Sequence, residues 1–122
     1  MGIIDRVYFT GMIDDNLKFE LYKNCYAFVF PSLSEGFGLP VVEAMHFGKP
    51  VFLSNLTCLP EIGGKEAFYW NSFEAKALIE IFENGMKAFE NDHEKPFRLK
   101  AHASNFSWEK AAEAYLNLYE KI

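Results

Sequence analysis

Tyr26-Ala27-Phe28-Val29-Phe30-Pro31-Ser32-Leu33-Ser34-Glu35-Gly36-Phe37-Gly38-Leu39-Pro40-Val41-Val42-Glu43-Ala44-Met45 reads as a strand, a tight turn and a helix in immediate succession. Its first five residues are apolar without alternation, as in a strand covered by helices on both faces, so this strand is expected near the centre of a parallel sheet. Gly36 and Gly38 flank Phe37 and let the backbone turn tightly, and Pro40 suits the first helical position, where its missing N–H is not needed. Gly48-Lys49-Pro50 then ends the helix.

The pattern repeats on either side. Before the stretch, Val7-Tyr8-Phe9-Thr10 reads as a strand closed by Gly11, followed by a helix over Asp14 to Asn24 capped by Asp14 or Asp15. After it come a strand at Val51-Phe52-Leu53, an irregular stretch from Ser54 to Lys65 broken by Pro60 and Gly63-Gly64, and a strand at Ala67-Phe68-Tyr69-Trp70. Asn71 or Ser72 is expected to cap a helix with the stripe Leu78, Phe82, Met86, Phe89. Pro96 opens a short helix after the solvated turn Asn91 to Lys95. Ser107 caps a last helix carrying Trp108, Ala111, Ala112, Tyr115, Leu118, Tyr119 and Ile122 at helical spacing. Strands alternating with helices predict an α/β fold, a Rossmann-like parallel sheet of about four strands flanked by helices.

The 122 residues suit a single domain, residues 1–122, and the 21 aromatic side chains (Phe 13, Tyr 6, Trp 2) argue for a packed core over a disordered chain. Twelve basic against 17 acidic residues give −5, the wrong sign for holding a phosphate backbone, so no nucleic-acid partner is expected. Cys25 and Cys58 lack the spacing of a zinc site or a disulfide framework, which points to a reducing cytoplasm. The longest apolar run, Cys25 to Pro31, falls far short of the ~18–20 residues that span a bilayer. A peripheral position at the inner face of a membrane stays compatible with this pattern.

Chemistry concentrates at the turn. It lies at the carboxyl end of a strand, where open parallel sheets bind ligands, and a helix N-terminus there offers free amides and a roughly half-unit positive charge to an anion such as phosphate. Glu35 and Glu43 frame it with seven residues between them. Glu35 precedes the helix, so the two do not share a helical face and should reach different parts of one elongated ligand. A carboxylate accepting two hydroxyls is a strong grip on a sugar diol. The competing reading makes Glu35 a solvated loop residue and Glu43 a helix stabiliser; the residues alone leave both open.

Taken together, Pro31-Ser32, Glu35-Gly36-Phe37-Gly38-Leu39-Pro40, Glu43-Ala44-Met45, Gly48-Lys49-Pro50-Val51 and Leu59-Pro60-Glu61 resemble the donor-site signature of the retaining GT-B glycosyltransferases of group 1. That group includes glycogen-synthase-like and sucrose-synthase-like enzymes and many bacterial polysaccharide and lipopolysaccharide transferases. The resemblance extends from about Val7 to Phe106-Ser107-Trp108. It implies that the chain is the latter part of a C-terminal donor-binding domain, binding a nucleoside-diphosphate sugar as substrate with no cofactor and no essential metal. Glu35 matches the first glutamate of the E-x7-E motif, beside the anomeric centre, and is the implied catalytic residue. Gly36, Phe37 and Gly38 match the turn that meets sugar hydroxyls and diphosphate, Leu39 a position near the nucleotide, and Glu43 the ribose-binding glutamate. Met12 and Ile13, after Gly11, lie where the family's loop approaches the base. The family's diphosphate-binding Arg and Lys come from further upstream, and Arg6 does not match them. Its acceptor site belongs to a separate N-terminal domain. The isolated chain is therefore expected to bind donor weakly, to turn over little, and to expose a sheet edge open to self-association.

Three rival readings differ in class. A non-catalytic Rossmann-like module would dimerise through that edge. A nucleotide-sugar epimerase shares the architecture but fits the two-glutamate turn less well. A glycoside hydrolase would need Glu35 and Glu43 ~5–9 Å apart across a cleft that nothing here builds. Cys25, Trp70, Trp108 and Phe47 are expected in the core. Glu61 is expected to anchor its loop through backbone hydrogen bonds. His93 and His102 should be solvated, and His46, three residues after Glu43, lacks a third ligand for a metal.

Overall fold

The computed structural model of the protein describes residues 2–122. The chain runs α1 (Asp15–Asn24), β1 (Phe28–Phe30), α2 (Leu39–His46), β2 (Val51–Ser54), α3 (Leu59–Gly63), β3 (Phe68–Trp70), α4 (Ala75–Glu90), α5 (Lys95–Ala103) and α6 (Trp108–Glu120), with 3-10 turns at Ile4–Arg6 and Gly64–Glu66. The strands form one parallel sheet in the order β1-β2-β3, with Phe28 opposite Val51 and Phe52 opposite Phe68. This is the expected α/β architecture of helices flanking a parallel sheet, with three strands where about four were expected.

The missing strand is Val7–Thr10. Val7 is extended, but residues 7–10 belong to no strand, and Val7, Tyr8 and Phe9 are 48%, 86% and 94% exposed. A strand persists only where a neighbour takes its backbone groups, and none of the described residues does so. The same fact displaces the expected centre. β1 has a single partner and its Val29 is half exposed, whereas β2 lies between two strands and is wholly buried.

Side chains of β2 alternate between two packed layers, as the two-residue strand period requires. Val51 and Leu53 join Val41, Ala44 and Met45 of α2, Leu59 and Ile62 of α3, and Leu99 and Ala103 of α5. Phe52 points the other way, toward Trp70 and Met86, with Phe68, Leu78, Ile81 and Phe82 around it. Gly85 of α4 is required there: a Cβ at that position would come within 2.6 Å of the Phe52 ring.

Local signals place most helix starts. The Asp14 carboxylate accepts from the Leu17 amide at 2.8 Å, and Ser107 Oγ accepts from the Lys110 amide at 3.1 Å. Two starts differ from expectation. α4 begins after Glu74, while Ser72 Oγ accepts from the Glu74 amide and shapes the preceding turn. Pro40 occupies the second position of α2, because Gly38 is the residue that breaks from helical dihedrals. The stretch expected to be irregular contains α3, where Pro60 sits in the first turn and is tolerated because that turn needs no N–H donor from it. Glu61 is exposed within α3 and its side chain makes no hydrogen bond, so the helix, not Glu61, orders this loop.

The aromatic and histidine expectations divide by contact. Trp70 is core, whereas Trp108 is 81% exposed because α6 projects from the body; no residue of α6 is buried. Phe47 packs at the core margin, Cys25 is half-buried, and His93 is exposed. His102, expected to be solvated, is half-buried with its Nε2 2.7 Å from the Ile62 carbonyl.

Candidate functional site

The turn between β1 and α2 is pinned from the last residue of β2 and the loop after it. The Ser54 hydroxyl donates to the Ser32 carbonyl, the Glu35 amide to Thr57 Oγ1 at 3.4 Å, and the Cys58 thiol lies 3.4 Å and 3.3 Å from the Glu35 and Phe37 carbonyls. Gly38 closes the turn at φ 91°, a left-handed conformation that favours glycine, and a Cβ there would meet the Leu59 side chain at 3.0 Å. No side chain caps α2 at Gly38; Pro40 has no N–H and the Val41 amide donates to the Gly38 carbonyl at 3.0 Å, so among the described residues Leu39 is the first-turn residue whose amide is left to face the turn. Ser54, Thr57 and Cys58 escaped sequence reading because they act through backbone atoms of a loop 21 to 23 residues distant, which no local pattern records.

The two glutamates have separate supports. Glu35 is half-buried, with Oε1 accepting from Ser32 Oγ at 2.7 Å. Glu43, on α2, faces α1: its Oε2 accepts from the Tyr22 hydroxyl at 3.0 Å, and Lys18 Nζ lies 3.4 Å from Oε1. Burial, then the bond to Glu43, drives the Tyr22 phenol far above its ordinary range, so it remains a donor. The Lys18 ammonium is held above its usual range, first by a hydrogen bond to Asp15 and further by Glu43. Tyr22 and Lys18 are site residues that sequence reading passed over. Their four-residue spacing on α1 was the available signal, readable only once α1 is known to lie beside α2.

Two concavities are present, one against the turn and one between α1 and β1. One, of about 570 Å³, is lined by Phe37, Leu39, Val42, Phe106, Trp108 and Ala111 among others, with the Phe37 ring edge-on to Phe106 at 5.8 Å. The other, of about 240 Å³, brings Ile13 together with Lys18, Leu21, Tyr22 and Phe28. Ile13 thus reaches the partners of Glu43, whereas its neighbour Met12 is fully exposed. Gly36 has open space where a Cβ would stand, leaving its backbone accessible, and Leu39 is half exposed beside it. Among the described residues no three His, Cys, Asp or Glu side chains converge as metal ligands.

The glycine turn stands at the carboxyl end of β1, the position at which open parallel α/β sheets bind ligands, with Glu35 in the turn and Glu43 on the helix that follows. Residues 1–106 match the glycosyl transferases group 1 family, and the chain belongs to it. Among similar proteins, the serotype-specific mannosyltransferase WbdA of Escherichia coli is 36% identical over 96% of this chain, and the O-antigen chain mannosyltransferase B of Escherichia coli is 33% identical over 93%. The solved sucrose-phosphate synthase of Thermosynechococcus elongatus superposes with a TM-score of 0.80 at 27% identity over 96% of this chain. The chain corresponds to a fragment of a GT-B C-terminal domain. It spans 14% of the first relative, 30% of the second and 30% of the solved synthase. No helix among the described residues is long and apolar enough to cross a membrane.

Proposed function

We propose that this chain is the donor-binding region of a group 1 glycosyltransferase, the latter part of its C-terminal domain, serving the transfer of a sugar from a nucleoside diphosphate to an acceptor hydroxyl with retention. The observation that carries this reading is the Gly38-closed turn, with the Leu39 amide open at the start of α2 and Glu35 and Glu43 on separate supports. Glu43 grips the ribose hydroxyls, and the Gly36-Phe37-Gly38 backbone meets the donor sugar and diphosphate. Leu39 packs near the nucleotide, and Ile13, with Met12 beside it, lies toward the base. Glu35 stands beside the anomeric carbon as the catalytic group. The amide end of α2 stabilises charge developing on the departing diphosphate, a preorganised electrostatic contribution that needs no metal. Mannosyltransferase relatives of O-antigen synthesis favour a bacterial polysaccharide or glycolipid as the product, made at the cytoplasmic face of a membrane. The acceptor site comes from a separate N-terminal domain and the basic groups that meet the diphosphate from the part of this same domain upstream of Val7, so this chain alone turns over little.

Titration of the chain with UDP-, GDP- and ADP-sugars, followed by amide chemical shifts, tests the reading. Perturbations centred on residues 35–43, lost in Glu43→Ala, are expected. Shifts confined elsewhere, or none with any donor, would sink it. A second reading as a self-associating module draws on the open edge of β1 and the exposed α6 stripe, and a nucleotide-independent dimer in light scattering would favour it.

A further inference from the structure

The support of Glu43 is asymmetric. Tyr22 is buried, its ring edge-on to Phe28 at 5.5 Å and stacked on Phe47 at 6.0 Å, so its hydroxyl is delivered from a fixed ring. Lys18 divides itself, with Asp15 at 2.9 Å as its nearer partner and Glu43 at 3.4 Å. A carboxylate offers about four acceptor positions. Tyr22 takes one on Oε2 and Lys18 leans loosely on Oε1, while the Glu43 side chain remains 32% exposed. Acceptor positions therefore stay open on a carboxylate whose rotamer is already chosen. Ordering a free glutamate costs side-chain entropy, which a ligand must otherwise overcome on binding.

We propose that Tyr22 is a positioning residue for Glu43, fixing the carboxylate in the orientation that accepts both hydroxyls of a vicinal diol. The inference rests on the reading of Glu43 as the ribose ligand and adds the residue that makes it selective. Tyr22 touches no ligand itself. Its hydroxyl orients Glu43 and Lys18 supplies an exchangeable counter-charge that stays with Asp15 when a diol takes Oε1.

The experiment compares ribo- and 2′-deoxyribonucleoside diphosphates (UDP, GDP and ADP with their deoxy forms) on the 122-residue chain, wild type and Tyr22→Phe, which keeps the ring and deletes the hydroxyl. Wild type is expected to prefer the ribo form by roughly tenfold, the size of one charge-assisted hydrogen bond. Tyr22→Phe should shrink that ratio toward one, with ribo affinity falling more than deoxy affinity, which keeps only the 3′-hydroxyl contact, while the protein stays folded by far-UV circular dichroism. In the ligand-free protein, the Glu43 side-chain NMR couplings should report one rotamer in wild type and an average in Tyr22→Phe. An unaveraged Glu43 in Tyr22→Phe, or an undiminished ribo preference, overturns the inference. If Glu43→Gln keeps the wild-type preference, or no nucleotide binds, the ribose reading falls instead, and the ligand-free couplings still decide the positioning role.

Discussion

Glu66 and Glu43 each face a lysine at 3.4 Å, yet the two carboxylates do opposite things. Glu66 is enclosed, its side chain 6% exposed, and Lys95 is nearly as deep with its ammonium 4.7 Å from the Phe68 ring centre. Arg98 closes the cluster, donating from Nε to both Glu66 oxygens at 3.1 and 3.2 Å and from its terminal nitrogens to Asp92. Both Glu66 oxygens are engaged inside the protein, by Lys95 and by the shared Arg98 Nε–H, and burial closes what remains to an outside partner. Glu43 is held from one side only and keeps positions for an outside partner. Distance does not separate a sealed ion pair from a carboxylate left open to a ligand; exposure and the acceptor positions facing solvent do.

The comparison breaks most visibly at Glu66. Glu66→Gln leaves the Lys95 ammonium buried without a counter-charge, and removing one partner of a buried pair costs about 3–5 kcal/mol. Urea unfolding should show this as the largest loss among the charge variants. Acid sharpens the point. Burial pushes the Glu66 carboxyl up, but Arg98 and Lys95 together outweigh it and hold it below its usual range, and the Arg98 hydrogen bond holds Asp92 low as well. Groups with depressed folded values contribute stability that is complete above the ordinary carboxylate range near ~4 and fades as pH falls through the folded values. Stability should therefore fall below about pH 4 in wild type, with a shallower fall in Glu66→Gln.

Glu43→Gln should shift the urea midpoint by less than about a third of the Glu66→Gln shift, since partly exposed pairs add little. Its effect should appear in binding, as a roughly tenfold or greater loss of nucleotide-sugar affinity by chemical-shift titration. The smallest stability change is expected at Trp108→Ala: with α6 projecting into solvent, its melting temperature should stay within about 2 °C of wild type. A large drop there would mean that α6 packs more tightly than the structure shows.

How far the sequence carries can be read at particular residues. Gly38 and Pro40 locate the turn and the start of α2 within one residue, and Asp14 and Ser107 mark caps that the structure uses. These are signals between residues a few positions apart. Val7–Thr10 is as apolar and β-branched as a strand should be, but a strand is half a structure and its other half is a neighbour. Phe28–Phe30 likewise reads as central and stands at an edge, because apolar composition reports what a strand can bury and not how many partners it has.

Glu35 and Glu43 were legible as a pair, whereas Tyr22, Lys18, Ser54, Thr57 and Cys58, which hold the site in shape, were not. By itself the sequence determined the alternation of strand and helix, the glycine turn and the two acidic residues at it, because dihedral freedom, capping and period are local physics. Only the tertiary structure decided which carboxylate is sealed and which is open. That outcome depends on which helix lies beside which, and packing is settled by contacts between residues that are distant in the chain.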